Sequence, residues 1–214
     1  MTTHHLRYIM FDFDGTLIDS MPFLEKNAVT LLRKFYSFSE EEARKKYRAT
    51  TGLPFVQQMQ IIAPQNKLNT SIVKEFEQMK LDLIYEQLPF NDALDVLKAL
   101  KEQKYLLGIS SGTIETIITT YLERVNFGHY VNDIMGFRPG FEKGKDHFNY
   151  ILDKYSLQQS QVLFIGDSLM DAKRAKDNGI KFIGRKGMFQ QEHFETVIPG
   201  CEVIQELSQL LDYL

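Results

Sequence analysis

Four short apolar runs constrain this chain most: Tyr8-Ile9-Met10-Phe11, Tyr105-Leu106-Leu107-Gly108-Ile109, Val162-Leu163-Phe164-Ile165 and Ile180-Lys181-Phe182-Ile183. Short and almost continuously apolar, they read as parallel strands covered on both faces. Segments of helical period lie between the later runs: Ala93-Val96-Leu97-Leu100, Ile114-Ile117-Ile118-Tyr121-Leu122 and Phe148-Ile151-Leu152-Tyr155. Strand and helix therefore alternate, which predicts an α/β fold built on a doubly wound parallel sheet. The carboxyl-terminal run Val203-Ile204-Leu207-Leu210-Leu211 has helical spacing and reads as core packing.

About ninety residues separate the first run from the second, far more than one crossover needs. This interval reads as several helices. Ser39 with Glu42 forms a capping box for a helix through Tyr47, Thr51-Gly52-Leu53-Pro54 is a break, and Ile72-Phe76-Met79-Leu83 is an amphipathic stripe. The expected division is a core of residues 1–20 and 89–214 interrupted by a helical domain over residues 21–88, with Leu88-Pro89-Phe90-Asn91 as the return linker.

Composition narrows the partners. The net charge is -3, with Lys and Arg scattered among Asp and Glu, so neither nucleic acid nor an anionic membrane is the expected partner. No apolar run approaches the roughly 20 residues that span a bilayer. The single cysteine, Cys201, has no internal partner, no signal-peptide-like run precedes the first strand, and a cytoplasmic monomer is the expectation. His4 and His5 read as a frayed end, not a metal site.

The chemistry concentrates where the apolar runs end. In Phe11-Asp12-Phe13-Asp14-Gly15-Thr16 two carboxylates spaced by two leave the carboxyl end of a strand, and the glycine lets the chain turn away. The crevice beyond such strand ends is where an open α/β sheet binds its ligands. Ser110-Ser111-Gly112-Thr113 closes the second run and offers a hydroxyl and a backbone N–H to an anionic oxygen. Lys143 and Lys145 flank Gly144 ahead of a helix, a placement that reads as a solvated lysine when taken alone and as a cation for phosphate charge when taken with the neighbouring motifs. Gly166-Asp167-Ser168-Leu169-Met170-Asp171 ends another strand and opens a helix with two acids about one turn apart.

Taken in order, DFDGTLIDS, a serine, a lysine and GDSLMD resemble the haloacid dehalogenase-like superfamily, whose signature is a DxDGT motif, a Ser or Thr, a Lys and a GDxxxD-type acid pair. The resemblance covers nearly the whole chain and implies a Rossmann-like core with a helical cap inserted after the first motif. It implies a magnesium-dependent phosphate-ester hydrolase in which Asp12 is the nucleophile, Asp14 the general acid and base, Ser111 the ligand of a phosphate oxygen and Lys143 the charge neutraliser. Mg²⁺ is then held by Asp12, the Asp14 backbone carbonyl and Asp167, with Asp171 orienting the metal's waters. Ser110 competes with Ser111, and Lys145 with Lys143, because Glu142-Lys143-Gly144-Lys145 departs from the Lys-Pro-x-Pro run of many relatives.

The cap implies a small phosphorylated metabolite as substrate. Thr51 and Gly52 resemble the cap loop that reaches such a substrate and also read as a plain helix-helix turn; Lys46 and Arg48 nearby read first as a solvated helix face and second as cations for a second anionic group. A sugar phosphomutase of the same superfamily and a non-catalytic binding protein on the same fold are the competing readings.

Overall fold

The computed structural model describes residues 6–214, so His4 and His5 lie outside the described residues. The strands are β1 (Tyr8–Phe11), β2 (Leu106–Ile114), β3 (Asp133–Phe137), β4 (Val162–Gly166), β5 (Lys181–Arg185) and β6 (Glu202–Ile204). The helices are α1 (Met21–Tyr36), α2 (Glu40–Thr50), α3 (Phe55–Ile62), α4 (Asn69–Leu83), α5 (Ala93–Glu102), α6 (Glu115–Arg124), α7 (Lys145–Tyr155), α8 (Leu169–Asp177), α9 (Gln191–Val197) and α10 (Leu210–Tyr213). All strand pairs are parallel, in the order β3-β2-β1-β4-β5-β6. The chain winds outward from β1 through β3 and then returns to lay β4 on the other side of β1. That reversal opens a crevice beyond the carboxyl ends of β1 and β4.

Two compact units are present: one runs through Ile18 and resumes over Pro89–Leu214, and the other is Asp19–Leu88. In the sheet unit, Tyr8 and Met10 pack with Phe148, Ile151, Phe164, Phe182 and Phe194 in one cluster. Ile9, Phe11, Leu107 and Ile109 are equally buried and alternate to the other face, where α5 and α6 pack on β2. At the amino-terminal ends of the strands, Asp133 accepts hydrogen bonds from Tyr8 Oη at 2.9 Å and Tyr155 Oη at 2.7 Å, and pairs with Lys154. Burial and that carboxylate drive the Tyr8 phenol far above its ordinary pKa, so it stays neutral and donates.

Two elements correct the sequence reading. Val203 and Ile204 are strand, not helix: β6 adds to the edge of β5 through the pairs Gly184↔Val203 and Arg185↔Ile204, and a ladder of backbone bonds outweighs helical spacing over so short a stretch. Leu207 and Leu210 beyond it keep the helical turn and are buried. Ile114 ends β2 and is 46% exposed, and helix α6 begins one residue later.

In the Asp19–Leu88 unit, α1 packs on α2 and α4, and α3 on α4, with Phe55 and Phe76 stacked at 3.8 Å between ring centroids. Ser39 caps α2 by accepting from Glu42 N–H, and Gly52 turns the chain after α2 at φ 94°. The buried stripe of α4 is Ile72 and Phe76 continued by the Lys80 stem and Ile84; Leu83 is exposed and Met79 half-buried, because the helix repeat of four carries the stripe past them. Among the described residues no helix is long and apolar enough to cross a membrane.

Gly108 lies against the Tyr8 ring, and a Cβ there would stand 1.9 Å from the phenolic oxygen and 2.7 Å from the ring. The ring is fully buried and tethered to Asp133, so it cannot swing away. Gly108→Ala should therefore cost about 1–3 kcal/mol of stability, read as a lower urea midpoint. An unchanged midpoint would mean the Tyr8–Asp133 tether yields.

Candidate active site

The residues singled out in the sheet unit converge on the carboxyl ends of β1, β2 and β4. Asp12 follows β1 directly and is held by its own N–H donating to Ile165 O at 2.8 Å. Its Oδ1 accepts from Phe13 N–H at 2.7 Å and from Lys143 Nζ at 2.8 Å, and neither bond uses Oδ2. Behind it the chain reverses at Gly15, at φ 78°, and Gly15 N–H donates to Ile18 O. Arg185, at the end of β5, donates to Gly15 O at 3.2 Å and lies over the Phe90 ring at 3.4 Å. The turn that carries Asp14 is thereby fastened to the sheet.

Asp167 follows β4, and Ser168 caps α8 by accepting from Asp171 N–H. Asp171 is wholly buried: one oxygen accepts from Ser168 Oγ at 2.7 Å, and the other pairs with Lys143 at 2.6 Å and Arg174 at 3.5 Å. Gly166 makes room for it, since a Cβ there would meet the Asp171 carboxylate at 2.8 Å. Lys143 is thus a buried cation shared by Asp12 and Asp171. Gly144 after it adopts φ 111° and ψ -123° as the cap of α7, a conformation that a side chain would strain. Lys145, the other lysine considered, is exposed on the first turn of α7.

On β2 both serines are buried, and they differ in partner. Ser110 Oγ is 2.8 Å from His147 Nδ1, whereas Ser111 Oγ accepts from Thr113 N–H at 3.0 Å. The Asp14 carboxylate does not join the other acids; it accepts from Thr113 Oγ1 at 2.5 Å. Gly112 lies between Ser111 and Thr113 and is half-buried. Sequence reasoning missed His147, Thr113 and Arg185 as parts of the site. Thr113 stood in the quoted motif without a role, and His147, one turn after Lys143 on α7, had no signal beyond its spacing.

Thr51 and Gly52 belong to the Asp19–Leu88 unit, where Thr51 Oγ1 donates to Tyr47 O at 3.1 Å. The Arg48 guanidinium pairs with the buried Glu25 carboxylate at 2.7 Å and 3.0 Å, which supplies that acid with a counter-charge within its own unit. Lys46 stands 3.9 Å from Glu42 and over the Phe38 ring.

The site carries more acid than base. Burial pushes the Asp12 carboxyl up to about 7 against the pull of Lys143, and burial together with Asp12 and Asp171 holds Asp167 well above the carboxylate range. Burial also acts to raise Asp171, but Lys143 and Arg174 outweigh it and keep that acid ionised. Burial and then Lys143 depress His147 to about 3, so the imidazole is neutral. Oxygen atoms of Asp12, Asp167 and Asp171 lie within 4.8 Å of one another, and Asp167 Oδ2 is buried with no hydrogen-bond partner among the described residues. An all-oxygen donor set with an unsatisfied buried carboxylate fits a small, hard divalent cation.

Residues 9–185 match a family model described as haloacid dehalogenase-like hydrolase. The chain is 27% identical over 186 residues to phosphoglycolate phosphatase of Aliivibrio fischeri, covering 81% of each. It is 25% identical over 240 residues to phosphoglycolate phosphatase of Vibrio vulnificus, covering 99% of this chain and 97% of that protein. The solved structure of a haloacid dehalogenase-like family hydrolase from Streptococcus pneumoniae shares the fold at a TM-score of 0.81 and 24% identity, covering 97% of this chain and 98% of that one.

The raised Asp12 pKa fixes the sign of a stability measurement. The folded protein retains a proton that the unfolded chain releases near pH 4, so stability present below that pH is lost as pH rises towards about 7. His147 acts the other way, its contribution present above pH 6.5 and lost as pH falls towards about 3, but Asp167, raised like Asp12, offsets it, and the depressed Asp171 acts only at still lower pH. Under chelator the melting temperature should fall as pH rises from about 4 towards about 7, and a divalent cation, which prefers the deprotonated acids, should flatten that fall. A melting temperature that climbs with pH under chelator would show the acids to be compensated without a cation.

Proposed function

The chain belongs to the haloacid dehalogenase-like hydrolase family and is a phosphatase, and we propose that it hydrolyses a small phosphorylated metabolite through an aspartyl-phosphate formed on Asp12. One observation carries this reading: a carboxylate at the crevice of a doubly wound sheet, held through Oδ1 by a buried lysine and packed against two further acids. The name phosphoglycolate phosphatase borne by the relatives supports a small phosphorylated substrate.

Asp12 is the nucleophile. Its Oδ1 is fixed by Phe13 N–H and Lys143, and Oδ2 bonds to phosphorus as the ester P–O bond breaks. A carboxylate and a phosphate dianion repel, so positive charge must already be in place; Lys143 supplies part of it. Asp12, Asp167 and the backbone carbonyl of Asp14 would hold Mg²⁺, with Asp171 behind them bonded to Ser168 and Lys143. When bound, the magnesium ion offsets charge on a phosphoryl oxygen. Ser111, which accepts from Thr113 N–H, keeps its own hydrogen to donate to another phosphate oxygen, and the Gly112 N–H lies beside it.

Asp14 transfers a proton to the departing ester oxygen. It then takes a proton from a water whose oxygen bonds to phosphorus, while the Asp12–phosphorus bond breaks and inorganic phosphate leaves. The Asp19–Leu88 unit is the cap, and Thr51 and Gly52 are its contribution to the choice of substrate.

Phosphate release from an activated aryl phosphate and a panel of small phosphorylated metabolites should require Mg²⁺ and stop under chelator. Asp12→Asn should remove turnover, by at least about 10⁴-fold, while the melting curve stays cooperative. A folded Asp12→Asn protein with near-normal turnover would refute the nucleophile.

A further inference from the structure

Acid–base catalysis by one carboxyl in both half-reactions poses a problem of support. Asp14 must be held in one place while it is an acid and again while it is a base, and its hydrogen-bonding character reverses between the two. A lysine or a backbone N–H only donates, so it favours the ionised carboxylate and reaches the protonated one through its carbonyl oxygen alone, never its hydroxyl. A hydroxyl donates to a carboxylate and accepts from a carboxylic acid without moving.

Thr113 has that hydroxyl in that position. Its side chain is buried at 4% exposure, and Oγ1 is 2.5 Å from Asp14 Oδ2. Its backbone N–H reaches the other way, to Ser111 Oγ at 3.0 Å. One residue therefore touches both the acid–base carboxyl and the proposed phosphate ligand. The local backbone is shaped for this contact: the pairing of β2 with β3 shifts register between Ser110 and Ile114. Gly136 of β3 lies beneath, where a Cβ would stand 2.7 Å from Thr113 O and 2.2 Å from Glu115 N. A bulge that re-aims a side chain beside a site is a recurrent use of irregular strand pairing.

We propose that Thr113 is a positioning residue that holds Asp14 in both of its protonation states and sets it against the phosphate oxygen bound by Ser111. The inference rests on the acid–base role given to Asp14 above. It assigns to Thr113 no contact with substrate; the effect passes through the Asp14 carboxyl.

Thr113→Val removes the hydroxyl, keeps the shape and leaves the backbone bond to Ser111 in place. The test compares kcat/KM for an activated aryl phosphate and for an alkyl phosphate. An alkoxide needs a proton from Asp14 as it leaves, and an activated aryloxide depends on that proton far less. Thr113→Val should lose about 10-fold more on the alkyl ester than on the aryl ester, a fraction of the ~10²–10⁴ that a positioned acid supplies, and Thr113→Ser should recover most of it. Thr113→Ala gives the same comparison if the valine variant does not fold.

An equal loss on both esters, or none, would overturn the proposal, since a purely structural role does not discriminate between leaving groups. If the wild-type protein releases phosphate from no ester, the proposed function falls, and the crystal structure of Thr113→Val decides the positioning separately. An Asp14 carboxyl displaced from its wild-type place upholds it, and an unmoved one overturns it.

Discussion

The Lys143 ammonium, shared between Asp12 and Asp171 with 3% of its side chain exposed, is the interaction on which the site depends. A buried cation is tolerable only when paired, and two buried carboxylates so close to one another are tolerable only with a cation between them. Each partner therefore fixes the other, and the surrounding chain is arranged to deliver them. Gly144 takes a backbone conformation that hands Lys143 inward and starts α7 at once. Gly166 leaves the space in which Asp171 reaches back from α8, and Ser168 holds the second oxygen of that acid. His147, one turn along α7, faces the same charge and stays neutral, which spares the site a second unmatched cation.

Topology supplies what this pairing cannot. Asp12 and Asp167 stand beyond neighbouring strands because the sheet reverses its winding between β1 and β4, and hydrogen bonds such as Asp12 N–H to Ile165 O set their relative height. The acids thus arrive in register from segments over 150 residues apart in sequence. Arg185 adds a third strand to the arrangement by gripping Gly15 O, so the turn bearing Asp14 is braced from the sheet.

The strands that carry acids were legible because burial on both faces leaves a continuous apolar run, and the acids that end such a run stand out against it. β3 and β6 were not: Asp133-Ile134-Met135-Gly136-Phe137 opens on a polar residue that answers Tyr8, and Glu202-Val203-Ile204 is too short to show a period. Neighbouring candidates were hard to separate for a related reason. Alternation puts Ser110 and Ser111 on opposite faces but does not say which face carries the crevice, and only the structure reveals that Ser110 is engaged by His147. Lys143 and Lys145 differ through the turn at Gly144: a glycine permits that positive φ but does not say which neighbouring lysine the turn sends inward. The pairing of Arg48 was hidden for another reason: Glu25, its partner, lies on another helix.

Partial neutralisation has a chemical consequence. A lysine that fully balanced the acids would leave no drive for a cation to enter, and a site without it would repel the phosphate it is meant to receive. The protein sits between these limits: Lys143 pins Asp12 through one oxygen and keeps Asp171 ionised, while Asp167 stays underpaired, with one buried oxygen meeting no donor among the described residues. That residual demand is local and directional, because Asp167 is the acid farthest from compensation and lies beside Asp12 within one small cluster. Cation entry would relieve a penalty already present in the folded chain, coupling the stability of this end of the sheet to the charge that the proposed attack on a phosphate requires.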